Sequence, residues 1–100
     1  MKLEAFEAMG LLCPKCGGRH VSHSNIELFQ REEDAEKGLY VRVINRKVIV
    51  DDNVANTLNK NPSERRSGMN IHFACEDCGS HSILSIAQHK GETFINFQEI

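Results

Sequence analysis

Two short cysteine turns, Cys13–Gly17 and Cys75–Gly79, constrain this chain more than any other feature of its sequence. In each turn two residues separate the cysteines and a glycine follows, so two thiolates can point towards one position. Four thiolates complete the tetrahedral shell that a structural zinc ion prefers. Gly17 and Gly79 fit this arrangement, because a residue without Cβ can adopt positive φ and turn backbone N–H groups towards the sulfurs. We therefore predict one structural zinc ion, with the ligands Cys13, Cys16, Cys75 and Cys78.

The two C-x2-C-G turns resemble the paired knuckles of a zinc ribbon. The resemblance covers residues 11–24 and 71–86 and implies β-hairpins around the metal. In a minimal module of this kind about 15 to 20 residues separate the two pairs, whereas residues 17–74 lie between them here. We therefore predict a single domain over residues 1–100, in which the ribbon carries an insert at residues 25–70. Aligning the knuckles gives a weak internal repeat, which suggests a pseudo-twofold arrangement about the zinc.

Three other uses of the cysteines stay open from the residues alone. Cys13–Cys16 matches the C-P-x-C redox motif of glutaredoxins, but that motif begins a helix that lowers the thiol pKa, and Gly17-Gly18 discourages a helix. Disulfides are favoured in secreted proteins, and Glu4 and Glu7 interrupt the only apolar stretch that resembles a signal. Catalytic zinc keeps an open position, which four cysteines do not leave. We expect cytoplasmic, metal-bound cysteines.

Charge and hydropathy exclude some partners. The formal net charge of the 100 residues is −2, and one Zn²⁺ bound to four thiolates makes it more negative. Proteins that bind nucleic acid through a generic electrostatic surface tend to be basic. No apolar run approaches the roughly 18 residues that span a membrane, so we expect no membrane partner.

Alternating apolar and polar residues predict an all-β fold with about six or seven strands and a minor helical content. The predicted strands are Val21–Gln30, a hairpin within Leu39–Val50, Met69–Cys75, and a closing hairpin of Ile83–His89 and Glu92–Phe97. In the first hairpin a turn at Asn45-Arg46 would place Val43 opposite Val48, although Arg46 is awkward where positive φ is needed. The closing hairpin should pair Ile86 with Ile95 and Leu84 with Phe97.

Other segments are less clearly patterned. Residues 1–9 have the composition of a short helix, and a strand at Leu11-Leu12 is the alternative. Residues 51–60 are ambiguous, because Asp52 is a suitable helix cap but several asparagines disfavour a helix. Residues 31–38 and 61–68 are predicted to be loops. The fold class is therefore all-β, with zinc-ribbon-like hairpins and a β-hairpin insert.

The remaining polar residues offer little for catalysis. His20 and His23 follow the first knuckle, where either is able to replace a sulfur or to donate a hydrogen bond to one. Glu76 and Asp77 lie inside the second knuckle and are expected to point into water. No nucleophile motif or phosphate-binding glycine loop occurs, so we expect a chain that is not an enzyme and has no small-molecule substrate.

Two kinds of partner follow from the surface residues. A basic set with one aromatic side chain is suited to contacting phosphates and stacking bases; it comprises Tyr40, Arg42, Arg46, Lys47, Arg65 and Arg66. The alternative is that these cations form salt bridges with nearby acidic residues. The second partner is a protein that docks on an exposed apolar β-face near Ile83 and Phe94. Nucleic acid, or the machinery that handles it, is the first expectation.

The stretch from Asn61 through Arg65-Arg66 to Glu76, together with Gln88–Thr93, is also similar to small uncharacterised zinc-ribbon proteins of bacterial phages and mobile elements. This resemblance implies a cytoplasmic location and no catalysis. It assigns no biochemical activity.

Overall fold

The computed structural model describes residues 9–55 and 60–100, which form one antiparallel sheet of six strands. The strands are β1 (Val21–Gln30), β2 (Lys37–Ile44), β3 (Lys47–Ala55), β4 (Gly68–Cys75), β5 (His81–His89) and β6 (Glu92–Glu99). Their order across the sheet is β3-β2-β1-β4-β5-β6. The described residues contain no helix, so the all-β prediction is confirmed.

The centre of the sheet is the β1–β4 pair, in which β1 follows the first knuckle and β4 leads into the second. Val21 lies opposite Cys75, and the backbone N–H of Glu76 donates to the carbonyl of His20 at 2.9 Å. The insert hairpin β2–β3 extends the sheet on one side of this pair, and β5–β6 extends it on the other. The insert hairpin therefore lies in the same sheet as β1 and β4, beside β1.

Both predicted hairpins have the predicted pairing. Val43 lies opposite Val48 in β2–β3, and Ile86 lies opposite Ile95 in β5–β6. The β2–β3 turn has two residues, and both adopt positive φ, 51° at Asn45 and 66° at Arg46. Two-residue turns of this kind match the twist of the flanking strands. The turn therefore fixes the register even though its second residue is a poor choice for positive φ.

Two expectations about irregular segments need correction. Leu11-Leu12 is not a strand. The helix considered for residues 51–60 is wrong for 51–55, because β3 continues to Ala55 and Val54 pairs with Gly38 across the ladder. A bulge near Asn53, where φ is 62°, accommodates the extra residue. The helix considered for residues 1–9 falls largely outside the described residues, as do residues 56–59.

One face of the sheet is covered by a loop, and we call it the loop face. Residues 60–67 lie across it: the side-chain N–H of Asn70 donates to the carbonyl of Lys60 at 2.9 Å, and a Cβ on Gly68 would lie 2.8 Å from Cδ of Pro62. Beneath the loop Phe29 is only 1% exposed and stacks on Tyr40, with ring centroids 4.8 Å apart. This is the most enclosed apolar contact of the sheet.

The opposite face, which we call the apolar face, carries two uninterrupted rows of apolar side chains. From β3 to β6 the first row is Val48, Val43, Ile26, Ile71, Leu84 and Phe97. The second row is Val50, Val41, Leu28, Met69, Ile86 and Ile95. The described residues add no second layer over these rows, and their only fully buried apolar side chains are Cys13, Phe29 and Cys75.

Candidate metal centre

The two knuckles bring the four cysteine sulfurs together. All four Sγ atoms lie within 4.8 Å of one another, and the Cys13–Cys78 and Cys16–Cys75 sulfurs are both 3.7 Å apart. A tetrahedron with metal–sulfur bonds of about 2.3 Å has edges of about 3.8 Å. A disulfide needs about 2.05 Å, and all four residues are free thiols. The four cysteines are therefore arranged to hold a metal ion.

The same backbone geometry builds both knuckles. In the first, the N–H of Cys13 donates to the carbonyl of Gly18, and the N–H of Gly17 donates to the carbonyl of Cys13, both at 2.9 Å. The second knuckle repeats these bonds from Cys75 to Ser80 at 3.0 Å and from Gly79 to Cys75 at 2.9 Å. φ is 75° at Gly17 and 73° at Gly79, a conformation that favours glycine. The weak sequence repeat thus corresponds to a repeated turn, whereas the redox motif would require a helix after Cys16.

Ser80 links sulfurs from both knuckles, a role that the sequence analysis missed. Its largely buried hydroxyl lies 3.3 Å from Sγ of Cys13 and 3.0 Å from Sγ of Cys78. This hydrogen bond is the main reason that the pKa of Cys13 falls to about 6, and it also lowers the pKa of Cys78. The sequence offered one signal for this role: Ser80 stands in the second knuckle at the position that Gly18 occupies in the first.

Cys16 has the opposite tendency. The backbone N–H of Gly18 donates to its sulfur at 3.3 Å and favours the thiolate. Burial and the three neighbouring cysteine side chains outweigh that bond and raise the pKa of Cys16 to about 12. Thiolates this close together repel one another, and a bound cation removes that penalty.

Neither histidine near the first knuckle belongs to the sulfur cluster. Nδ1 of His20 lies 3.2 Å from both carboxylate oxygens of Asp77, and the ring of His23 packs edge-on against Phe73. The alternative that His20 or His23 replaces a sulfur or bonds to one is therefore not supported. Asp77 does not simply point into water. Its carboxylate connects the second knuckle to His20, which follows the first knuckle.

The basic residues proposed to contact nucleic acid are mostly paired with acids. Arg65 donates twice to the carboxylate of Asp34, at 2.7 and 2.6 Å, and Arg66 donates to Glu33 at 2.8 Å. Arg31 holds the two loops together by donating to the carbonyls of Arg66, Ala35 and Glu64. The two adjacent arginines therefore join residues 60–67 to the loop of residues 31–36.

The other four residues of that set lie on or beside the β2–β3 hairpin. Arg42 donates to Asp51 at 2.6 Å, and its guanidinium lies 4.9 Å from the centroid of the Tyr40 ring. That ring also stacks on Phe29, so it is not a free platform for a base. Arg46 and Lys47 are exposed at the turn.

A chain of hydrogen bonds on the loop face was also missed by the sequence analysis. The Tyr40 hydroxyl donates to Glu27 at 2.7 Å, Nε2 of His72 lies 2.9 Å from the same carboxylate, and Nδ1 of His72 lies 3.2 Å from Nε2 of His81. Burial opposes ionisation of Glu27, but the bonds from His72 and Tyr40 prevail and lower its pKa. Burial, followed by the bond to Glu27, raises the pKa of Tyr40 to about 12.

Comparisons of this chain with protein-family models, with curated proteins and with solved structures find no match. Over residues 9–55 and 60–100, no helix is long and apolar enough to cross a membrane. The function must therefore be argued from the site and from the surfaces of the sheet.

Proposed function

We propose that this chain is a non-enzymatic module that binds one structural zinc ion in a zinc-ribbon-like site and acts by contacting protein. The supporting observation is the cluster of four Sγ atoms within 4.8 Å, with two opposite pairs 3.7 Å apart. A tetrahedral shell of four thiolates suits zinc, and it also suits iron. We propose zinc rather than iron, because zinc has no redox chemistry and a structural site needs none.

The site is suited to structure and not to catalysis. When bound, zinc supplies four bonds that tie the entry to β1 and the exit from β4 to one point. A catalytic zinc needs a coordination position for water or substrate, and four cysteines occupy all four positions. Cys13 and Cys75 are also 3% and 4% exposed, so the protein itself shields two of the ligands. Cysteines that bind metal and form no disulfide fit a reducing compartment, and on that ground we propose a cytoplasmic location.

Metal analysis tests this proposal. We expect native mass spectrometry of the purified chain to show one zinc ion and the loss of four thiol protons. Cys16→Ser and Cys78→Ser should each weaken zinc binding, whereas Ser22→Ala, on β1 outside the cluster, should not. One iron in place of zinc, or a folded chain that binds no metal, would contradict the proposal.

The apolar face favours protein over nucleic acid as the partner. Its end residues Val48, Val50 and Ile95 are 67%, 59% and 72% exposed, and contiguous exposed apolar patches mark interaction sites. Nucleic acid is the second candidate, supported by the exposed Arg46 and Lys47. The carboxylates beside Arg42, Arg65 and Arg66 weaken that case.

Salt dependence separates these two partners. Binding through phosphate contacts weakens steeply as salt rises, because counterions are released, whereas an apolar interface responds little. Oligonucleotide binding that weakens steeply with salt, and falls further in Arg46→Ala with Lys47→Ala, would favour nucleic acid. The resemblance to zinc-ribbon proteins of phages and mobile elements stays a prediction from the sequence, because the comparisons find no match.

A further inference from the structure

We propose that the apolar face is a dimer interface, on which two copies of this chain pack face to face as a β-sandwich. The proposal rests on the protein-contact function and names the partner as a second copy. A sheet with one apolar face must bury that face against another layer, and the described residues do not supply one. Here the second layer is the same sheet of the second copy.

The continuity of the two rows is the first support. Every one of the six strands contributes an apolar side chain to each row, and no row position is polar or charged. The exposed positions are at the outer strands, β3 and β6. Because the rows reach both edges of the sheet, a partner has to be as wide as the whole sheet.

The size of the face is the second support. Six strands about 4.8 Å apart make it about 29 Å wide, and the two apolar rows with one bordering row at each end, about 6.8 Å apart, extend it about 27 Å, an area on the order of 800 Å² of which the apolar rows are about half. A standard stable interface buries about 800 Å² on each partner. The face of one copy therefore matches both the area that a dimer needs and the area that a second copy offers.

The distribution of polar groups is the third support. The rows are uncharged, so a twofold arrangement that places each row against a partner row brings no like charges together. Polar side chains border the rows at one end, where the amide of Gln88 donates to the hydroxyl of Thr93 at 2.9 Å. An apolar centre with a polar rim is the usual anatomy of a protein interface. The loop face lacks this pattern, because Glu27 lies on the central strand β1, and Arg42 and Asp51 lie on the two strands beyond it.

One rival occupant is the chain's own segment of residues 1–8. Eight residues span about 12 Å as a helix, and as an extended strand they span about 27 Å but cover a strip only about 5 Å wide. A helix about 10 Å across would cover on the order of 120 Å². Such a segment leaves most of both rows exposed, so it does not replace a second sheet.

Sedimentation velocity of the full zinc-loaded chain tests the proposal. We expect a dimer for the wild type. Val50→Glu with Ile95→Glu should raise the dimer dissociation constant on the order of 100-fold or more, since the dimer would bury two unpaired carboxylates per copy. The matched control is Ile49→Glu with Phe94→Glu, which places the same two charges on the same two strands but on the loop face; this double variant should stay dimeric.

Zinc content and far-UV circular dichroism keep the outcomes apart. A Val50→Glu, Ile95→Glu variant that is monomeric, folded and loaded with one zinc supports the face-to-face dimer. A wild type that stays monomeric up to high micromolar concentration overturns the dimer, as does a control that dissociates as readily as that variant. Normal zinc binding in that monomer leaves the metal proposal standing, whereas failure of the metal proposal would appear as absent zinc in every variant.

Discussion

Ser80 is a side chain that contacts sulfurs of both knuckles. Its hydroxyl lies within 3.3 Å of Cys13 and Cys78 sulfurs, and it is the largest cause of the lowered pKa at both cysteines. Groups that bond to metal ligands tune affinity because they hold the ligand in its deprotonated form. The hydroxyl therefore prepares the site for a cation.

We predict that Ser80→Ala weakens zinc binding by about 10-fold or more, the usual effect of removing such a supporting group. The reason is that the pKa of the Cys13 thiol should rise from about 6 towards its ordinary value. Competition with a chromogenic chelator at neutral pH measures the affinity, and Ser22→Ala on β1 is the control. An affinity equal to that of the wild type would show that the hydroxyl has no role.

Glu27 is the other residue whose environment makes a measurable prediction. Its side chain is 13% exposed and bonds to His72 and Tyr40, and its pKa is lowered. A lowered pKa in the folded state stabilises the fold above the carboxyl's unfolded pKa of about 4.3, and this contribution is lost as the pH falls through the folded value.

Glu27→Gln should therefore destabilise the protein by about 2 kcal/mol at pH 7, the size expected for a charged hydrogen bond. The difference from the wild type should shrink as the pH falls below about 4.3. Urea unfolding at several pH values measures this, and Glu32→Gln in the exposed loop is the control. A difference that stays constant from neutral to acidic pH would contradict the assignment.

At the scale of elements, local pattern was enough for the hairpins and not for the sheet. Strands have a side-chain period of two, so the alternation in residues 39–50 and a two-residue turn together determine one register. The order β3-β2-β1-β4-β5-β6 depends on the β1–β4 pairing between distant segments, which no local pattern encodes. The prediction of a strand at Leu11-Leu12 was wrong for the same reason. Two apolar residues form a strand only if a neighbouring strand pairs with them, and the local sequence does not show whether the sheet provides one.

The same distinction applies to the site. The C-x2-C-G spacing predicted the cysteine cluster because each turn is local. The Glu27–His72–His81 chain crosses three strands and depends on their mutual register. The apolar surface was placed near Ile83 and Phe94, because both faces of the closing hairpin are apolar when considered alone. Only the assembled sheet shows that the continuous rows lie on the other face.

A substitution in the β2–β3 turn can test whether Arg46 destabilises the protein by adopting positive φ. Arg46 adopts φ of 66°, and a residue with a Cβ costs about 1 kcal/mol in that region compared with glycine. Arg46→Gly should therefore stabilise the protein by up to about 1 kcal/mol in urea unfolding. Arg46→Ala, which removes the same charge but keeps the Cβ, should not stabilise it. Equal effects of the two substitutions would indicate charge and not backbone conformation.

At the scale of the whole molecule, the described part has an unusually small interior. Only Cys13, Phe29 and Cys75 are buried apolar residues there, and two of the three belong to the sulfur cluster. The proposed metal and the proposed second layer over the apolar face would each add stability outside that small core. A bound metal contributes its binding free energy to folding when the unfolded chain has no formed site, and a partner contributes in proportion to its concentration.

We therefore predict that the melting temperature depends on zinc and on protein concentration separately. Chelation of the metal should lower it by roughly 10 °C or more, because the ends of β1 and β4 lose their common anchor. Dilution should lower it further in both the zinc-bound and the metal-free protein, because a dimer melts in a concentration-dependent way. Val50→Glu with Ile95→Glu should abolish the dependence on dilution and keep the dependence on zinc. Differential scanning calorimetry over a concentration series measures both effects. A melting temperature insensitive to chelation would show that the sheet is stable without its metal, and one insensitive to dilution would leave the apolar face without a second copy.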